Sequence, residues 1–171
     1  MEETSGNSIF HNTTQGELGL KDVMQEIKIF LEEFPNAEYS LVIGTDSHEK
    51  IEGEKSGSLT LVTAVVVHRK GFGGRYFWQK NIKPLTRTLR EKIYTETLTS
   101  LSFATGFVPE LKKLLNGKAP KYNLEIHVDV GEHGQTREMI KEVVGMVTGN
   151  GFVAKTKPNS FGASYVADKH T

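Results

Sequence analysis

The chain has 171 residues, near the usual size of one domain, and its 37% hydrophobic content is enough to close a single core. With 21 Lys and Arg against 21 Asp and Glu, it is not a polyanion binder that works by overall charge, and the absence of Cys excludes a disulfide framework. The start Met1-Glu2-Glu3 lacks the basic and apolar parts of a signal peptide, and the longest apolar run, 59–67, is short and broken by Thr60 and Thr63; these features predict a cytoplasmic protein with no membrane contact.

The neutral total hides an asymmetry. Residues 1–58 carry 12 acids against four bases, whereas 68–92 carry eight bases against Glu91 alone. One part of the surface is therefore predicted to be cationic.

Residues 1–18 are rich in Ser, Asn, Thr and Gly without apolar periodicity and read as a flexible arm ahead of one domain over 19–171. Val23, Ile27, Phe30, Leu31 and Phe34 recur at helical spacing before Pro35, predicting a helix over 21–34. The run Tyr-Ser-Leu-Val-Ile-Gly-Thr-Asp at 39–46 has the pattern of a buried central strand with Asp46 at its end. A polar loop over 47–58 follows, then two β-rich runs, 59–69 and 75–82, joined by Gly71-Phe72-Gly73-Gly74, which predict an antiparallel hairpin. A helix is predicted from about 85 to 107, a shorter piece from Pro109 to Leu115, and a stop at Asn116-Gly117. The alternation at 123–130 predicts a strand, 135–148 a helix, 152–156 a short strand, and 159–170 a final helix capped by Asn159 or Ser160. This order is that of an α/β fold with a mixed sheet, whose reactive site lies beyond the carboxyl ends of its central strands.

Asp46 and Asp129 both fall in such positions. Two-metal phosphoryl transfer needs anionic oxygens from separate elements converging on ions about 3.5–4 Å apart, and strand ends that are adjacent in a sheet can supply them. Taken singly, each aspartate is equally explained as a turn or helix cap. His127, Glu125 and Asp129 share one strand face by the period-two rule. A lone strand histidine such as His127 is more often a hydrogen-bonded core residue than a ligand, and His48 reads as a loop residue.

The segments Ile43-Gly44-Thr45-Asp46-Ser47-His48, Leu89-Arg90-Glu91-Lys92-Ile93 followed by Glu96, Val128-Asp129-Val130-Gly131, and Lys157-Pro158-Asn159-Ser160-Phe161 with Ala167-Asp168-Lys169-His170 resemble the YkuK-type bacterial family of the ribonuclease H-like superfamily. The resemblance covers 39–171. It implies a five-stranded mixed sheet in the order 3-2-1-4-5 and four acids that map onto Asp46, Glu96, Asp129 and Asp168, holding Mg²⁺ or Mn²⁺. Glu96 stands three residues after Ile93 and seven after Leu89, so it faces the sheet; Glu91 falls off that face and is the second choice. Ser47, His48, His127 and His170 lie beside these acids in the sequence and are held as minor candidates.

Arg69, Lys70, Arg75 and Lys80 interleave with Phe72, Tyr76, Phe77 and Trp78, and Lys83, Arg87 and Arg90 follow. Cations for phosphates beside aromatic stacking faces suit nucleic acid; the competing reading packs the aromatics inward and leaves the charges solvated. The expectation is a divalent-metal-dependent nuclease or related phosphodiester hydrolase acting by a two-metal mechanism, with water as the nucleophile. The alternative is a non-catalytic nucleic-acid- or protein-binding module that keeps the fold, and a hydrolase of small phosphoesters fits the extended basic surface less well.

Overall fold

The computed structural model describes residues 8–117, 120–160 and 162–170, without the side chains of Ala163, Ser164, Ala167 and Asp168 in the last helix. The chain order is β1 (Phe10–Asn12), β2 (Gly16–Leu18), α1 (Leu20–Glu33), β3 (Tyr39–Ile51), β4 (Gly57–Arg69), β5 (Gly74–Pro84), α2 (Leu89–Leu115), β6 (Tyr122–His127), a 3-10 turn (Arg137–Met139), α3 (Ile140–Gly149), β7 (Val153–Lys155) and α4 (Gly162–His170).

The sheet has seven strands in the order β2-β1-β5-β4-β3-β6-β7 rather than the expected five. β3, β4 and β5 form an antiparallel meander, and β6 and β7 add parallel to β3 and to each other. The two extra strands come from the segment expected to be a flexible arm. Phe10 is fully buried and meets Phe103 at 5.7 Å between ring centroids, and the Asn12 side chain receives the amides of Thr14 and Gln15 and donates to the Tyr76 carbonyl. One aromatic anchor and one turn-forming Asn dock a segment whose composition reads as loop.

Alternation of side chains along the strands separates the two faces of the sheet. On one face Leu41, Ile43, Val65, Val67, Phe77 and Ile126 pack against α1, α2 and α3 to form the main core. On the other, Val62, Ala64 and Trp78 pack against Val166 of α4.

Several element boundaries differ from expectation. β3 runs five residues past Asp46, because an antiparallel ladder with β4 needs only backbone partners and 47–51 can be polar on both sides. The predicted break at Pro109 is absent, and α2 is one helix of 27 residues. An exposed proline removes one helical hydrogen bond, while Ala104, Phe107, Val108, Leu111 and Leu115 on both sides of it remain buried. The same helix starts at Leu89 rather than 85, where the Thr88 hydroxyl accepts the Glu91 amide and the Glu91 carboxylate accepts the Arg87 amide. α4 starts at Gly162, later than predicted, and its first amide is received by His127 Nδ1 rather than by Asn159 or Ser160. Among the described residues no helix is long and apolar enough to cross a membrane.

Candidate functional site

Register explains how the acids approach one another. β6 pairs with β3 only from Tyr39↔Tyr122 to Gly44↔His127, so its carboxyl end lies just short of Asp46, which continues in the β3–β4 ladder opposite Val62. Asp46 is thus within its strand, not at its end, yet it lies where the neighbouring strand stops. Val128, Asp129 and Val130 leave β6 at this point. Val128 and Val130 are buried, and Asp129 is half-buried between them.

Glu96 reaches the same region from α2. It is 4% exposed, and its Oε1 accepts the Ser47 hydroxyl at 2.6 Å. One residue earlier on that face, the Thr45 hydroxyl bonds Thr63 and Ser100, so a polar seam runs between β3, β4 and α2 toward the glutamate. Asp46 Oδ1 accepts the Ser47 amide at 2.8 Å. Ser47 therefore touches both acids, one through its backbone and one through its side chain. Burial raises the Glu96 pKa to about 8; the Ser47 hydrogen bond opposes this, Asp46 adds to it, Lys92 opposes it, and Asp129 adds to it again.

Lys157, to which the sequence assigned no role, stands with these acids. Its Nζ lies 2.9 Å from Asp129 Oδ1, an enclosed oxygen with no well-aligned hydrogen bond, so the contact is an ion pair. The lysine's pKa is raised, first by this contact, with burial opposing, and then by the charges of Asp129, Asp46 and Glu96. The lysine opens the family-like run Lys157-Pro158-Asn159-Ser160-Phe161, but nothing in that run pairs it with Asp129. It arrives through the parallel pairing of β6 with β7, extended by Val128 N–H to Lys155 O and Lys157 N–H to Val130 O.

Carboxylate oxygens are the hard donors that Mg²⁺ and Mn²⁺ take, and the mutual repulsion of Asp46, Glu96 and Asp129 is of the kind a dication relieves. Among the described residues, however, no group of three or more His, Asp or Glu stands close enough together to hold a metal ion. Asp168 lies on the last turns of α4, and its side chain is outside the described residues.

The minor candidates separate. His127 is buried, its Nε2 is 2.9 Å from Glu125 Oε2 and its Nδ1 accepts the Gly162 amide, which ties α4 to β6. Burial lowers its pKa, the Glu125 contact opposes this, and Lys155 adds to the lowering. His48 is exposed on β3. Glu91 is committed to the start of α2. His170 stacks on Trp78 at 3.6 Å and bonds the Tyr76 hydroxyl, over β5 rather than beside the acids.

Of the seven expected nucleic-acid contacts, four have acidic partners. Arg69 is buried and lies 3.3 Å from Glu33, with its guanidinium over the rings of Phe30 and Phe34. Arg75 pairs with Glu26, Lys70 with Glu38, and Arg90 with Glu142, which also bonds Tyr94. Lys80, Lys83 and Arg87 are exposed, and their side chains form no ion pair among the described residues. The aromatic faces are also largely used: Phe77 is core, Trp78 lies under His170, and Phe72 at the hairpin tip is exposed.

The fold is thus a mixed sheet flanked by helices. The Ribonuclease H-like family matches residues 22–171, and the chain belongs to it. It is 32% identical over 172 residues to a Bacillus subtilis (strain 168) protein named Uncharacterized protein YkuK, a match covering 95% of this chain and 96% of that one. No solved structure matches the chain.

Proposed function

We propose that this protein is a divalent-cation-dependent hydrolase of nucleic-acid phosphodiesters, with Asp46, Glu96 and Asp129 as its central carboxylates and Asp168 as the fourth. The observation that carries this reading is Ser47, which gives its amide to Asp46 at 2.8 Å and its hydroxyl to Glu96 at 2.6 Å beside the end of β6, where the chain runs on into Asp129. Two bound Mg²⁺ or Mn²⁺ ions would supply an activated water and charge neutralisation at the phosphate. Ser47 orients Glu96 through its hydroxyl, and Lys80, Lys83 and Arg87 are the cations left to meet a phosphate backbone.

The test is incubation of the full chain with single-stranded RNA, single-stranded DNA, duplex and hybrid substrates, with Mg²⁺ or Mn²⁺ and with EDTA. Cleavage by the wild type should fall by ~100-fold or more in Asp129→Asn and should stop in EDTA. The second reading, a binding module that retains the fold, is favoured by the Lys157–Asp129 ion pair, which already satisfies one of the acids. Retention of nucleic acid in EDTA with no cleavage under any condition would establish that module and sink the hydrolase.

A further inference from the structure

We propose that the aromatic and cationic patch around Trp78 and His170, at the carboxyl end of α4, is the seat of a single nucleic-acid strand whose continuation crosses the sheet toward Asp46. This deepens the nucleic-acid reading above, on which it rests, and needs no metal. The patch is layered. Tyr76, Trp78 and Lys80 alternate onto one face of β5. Trp78 is 9% exposed under the His170 ring, which lies 3.6 Å away and 10° from parallel; that imidazole is only half-buried and forms the outer layer of the stack. The Tyr76 hydroxyl bonds His170 Nε2 at 3.2 Å, and His11 stands opposite Trp78 in the ladder with its ring 5.7 Å away. Rings grouped in this way suit the faces of bases irrespective of sequence.

The charges around the rings suit phosphates. Lys169 lies 6.0 Å from the centre of the Tyr76 ring, and Lys80 is near enough to act on the charge of His170. Both lysines are exposed, and neither forms an ion pair among the described residues. Glu17, opposite His11 in the β1–β2 ladder, is an acid at the rim. Register joins the patch to the acids. Directly opposed residues of an antiparallel ladder share a face; Asp46 pairs with Val62 and Val62 with Lys80, so Lys80 and Asp46 lie in one row with about 10 Å between their strands. Phosphates seated on Lys169 and Lys80 therefore continue along this row toward Asp46. A duplex keeps its bases stacked on one another, whereas a single strand can turn them onto His170.

Trp78 is the one tryptophan of the sequence, so its fluorescence reads the patch directly. The experiment titrates the full chain, in EDTA, with short oligothymidylate and oligouridylate, each alone and annealed to its complement. Wild-type fluorescence should change saturably with either single strand and much less with the duplexes. Lys80→Glu combined with Lys169→Glu should weaken binding ~10-fold or more and lower the slope of log affinity against log salt by ~1.4. His170→Ala should weaken binding ~5-fold or more, and His170→Phe, which restores a ring, should bind about as well as wild type; circular dichroism checks the fold of each variant. Binding that leaves Trp78 fluorescence and the lysine variant unaffected overturns the patch and leaves the nucleic-acid reading standing. Polyglutamate that perturbs Trp78 as well as the oligonucleotides do makes the patch a general anion surface and also overturns it. Failure of every oligonucleotide to bind at low salt overturns the nucleic-acid reading and this inference together.

Discussion

Glu96 is the residue whose environment departs furthest from what its side chain prefers. Its folded pKa of about 8 stands above the ordinary 4.5, so between those values the folded protein keeps a proton that the unfolded chain has released. Stability contributed at this position is therefore greatest below about pH 4.5 and declines as pH rises to about 8, by on the order of 5 kcal/mol at most. Glu96→Gln preserves the shape and can still accept the Ser47 hydroxyl without carrying charge. In EDTA, the variant should melt close to wild type at pH 5 and several degrees above it at pH 9. Parallel melting profiles for the two proteins would mean that the carboxyl is hydrated in solution. The sequence located this residue by its spacing from Ile93 and Leu89, because facing the sheet is a matter of helical period. Ser47 as its partner and Lys157 as the neighbour of Asp129 depend on which strands end where, and no local pattern records that.

At the scale of elements, the basic hairpin divides into a structural and a free part. Arg69 donates to the Phe30 carbonyl at 3.1 Å and the Tyr39 hydroxyl at 3.2 Å, and so fastens the end of α1 to β4. Arg69→Met should lower unfolding free energy by roughly 2–3 kcal/mol, measured by urea denaturation, since it removes two buried hydrogen bonds from a charged donor and a cation from two aromatic faces. A loss below about 0.5 kcal/mol would show that the guanidinium is dispensable to the fold. Counting charges along 68–92 shows a cationic segment but not which of its members are consumed by acids 32 to 52 residues away, as for Lys70 with Glu38 and Arg90 with Glu142. The apolar cores of β3, β4 and β5 were legible because they are buried runs. The β1–β2 hairpin was not, because a single phenylalanine supports it, and neither was the passage of α2 through Pro109, because packing outweighed one lost hydrogen bond.

For the whole molecule, zero net charge means that nucleic-acid binding has to come from a local field. If Lys80, Lys83 and Arg87 supply it, replacing all three with Ala should weaken binding and reduce the slope of log affinity against log salt by roughly 2 to 3. An unchanged slope would move the interface elsewhere on the molecule. The sheet that presents these cations also has an uneven outline, since β3 continues for seven residues beyond Gly44 with β4 as its partner but without β6 beside it. That stretch is in effect an interior strand with an open flank, the kind of edge that recruits a strand from another molecule. Its sequence, Thr45-Asp46-Ser47-His48-Glu49-Lys50-Ile51, is polar or charged up to the exposed Ile51 at its end. Asp46→Asn removes a charge from this open flank together with a carboxylate of the proposed site; light scattering belongs beside any activity measured for that variant, because lost turnover through self-association and lost turnover through a missing carboxylate look alike in an assay.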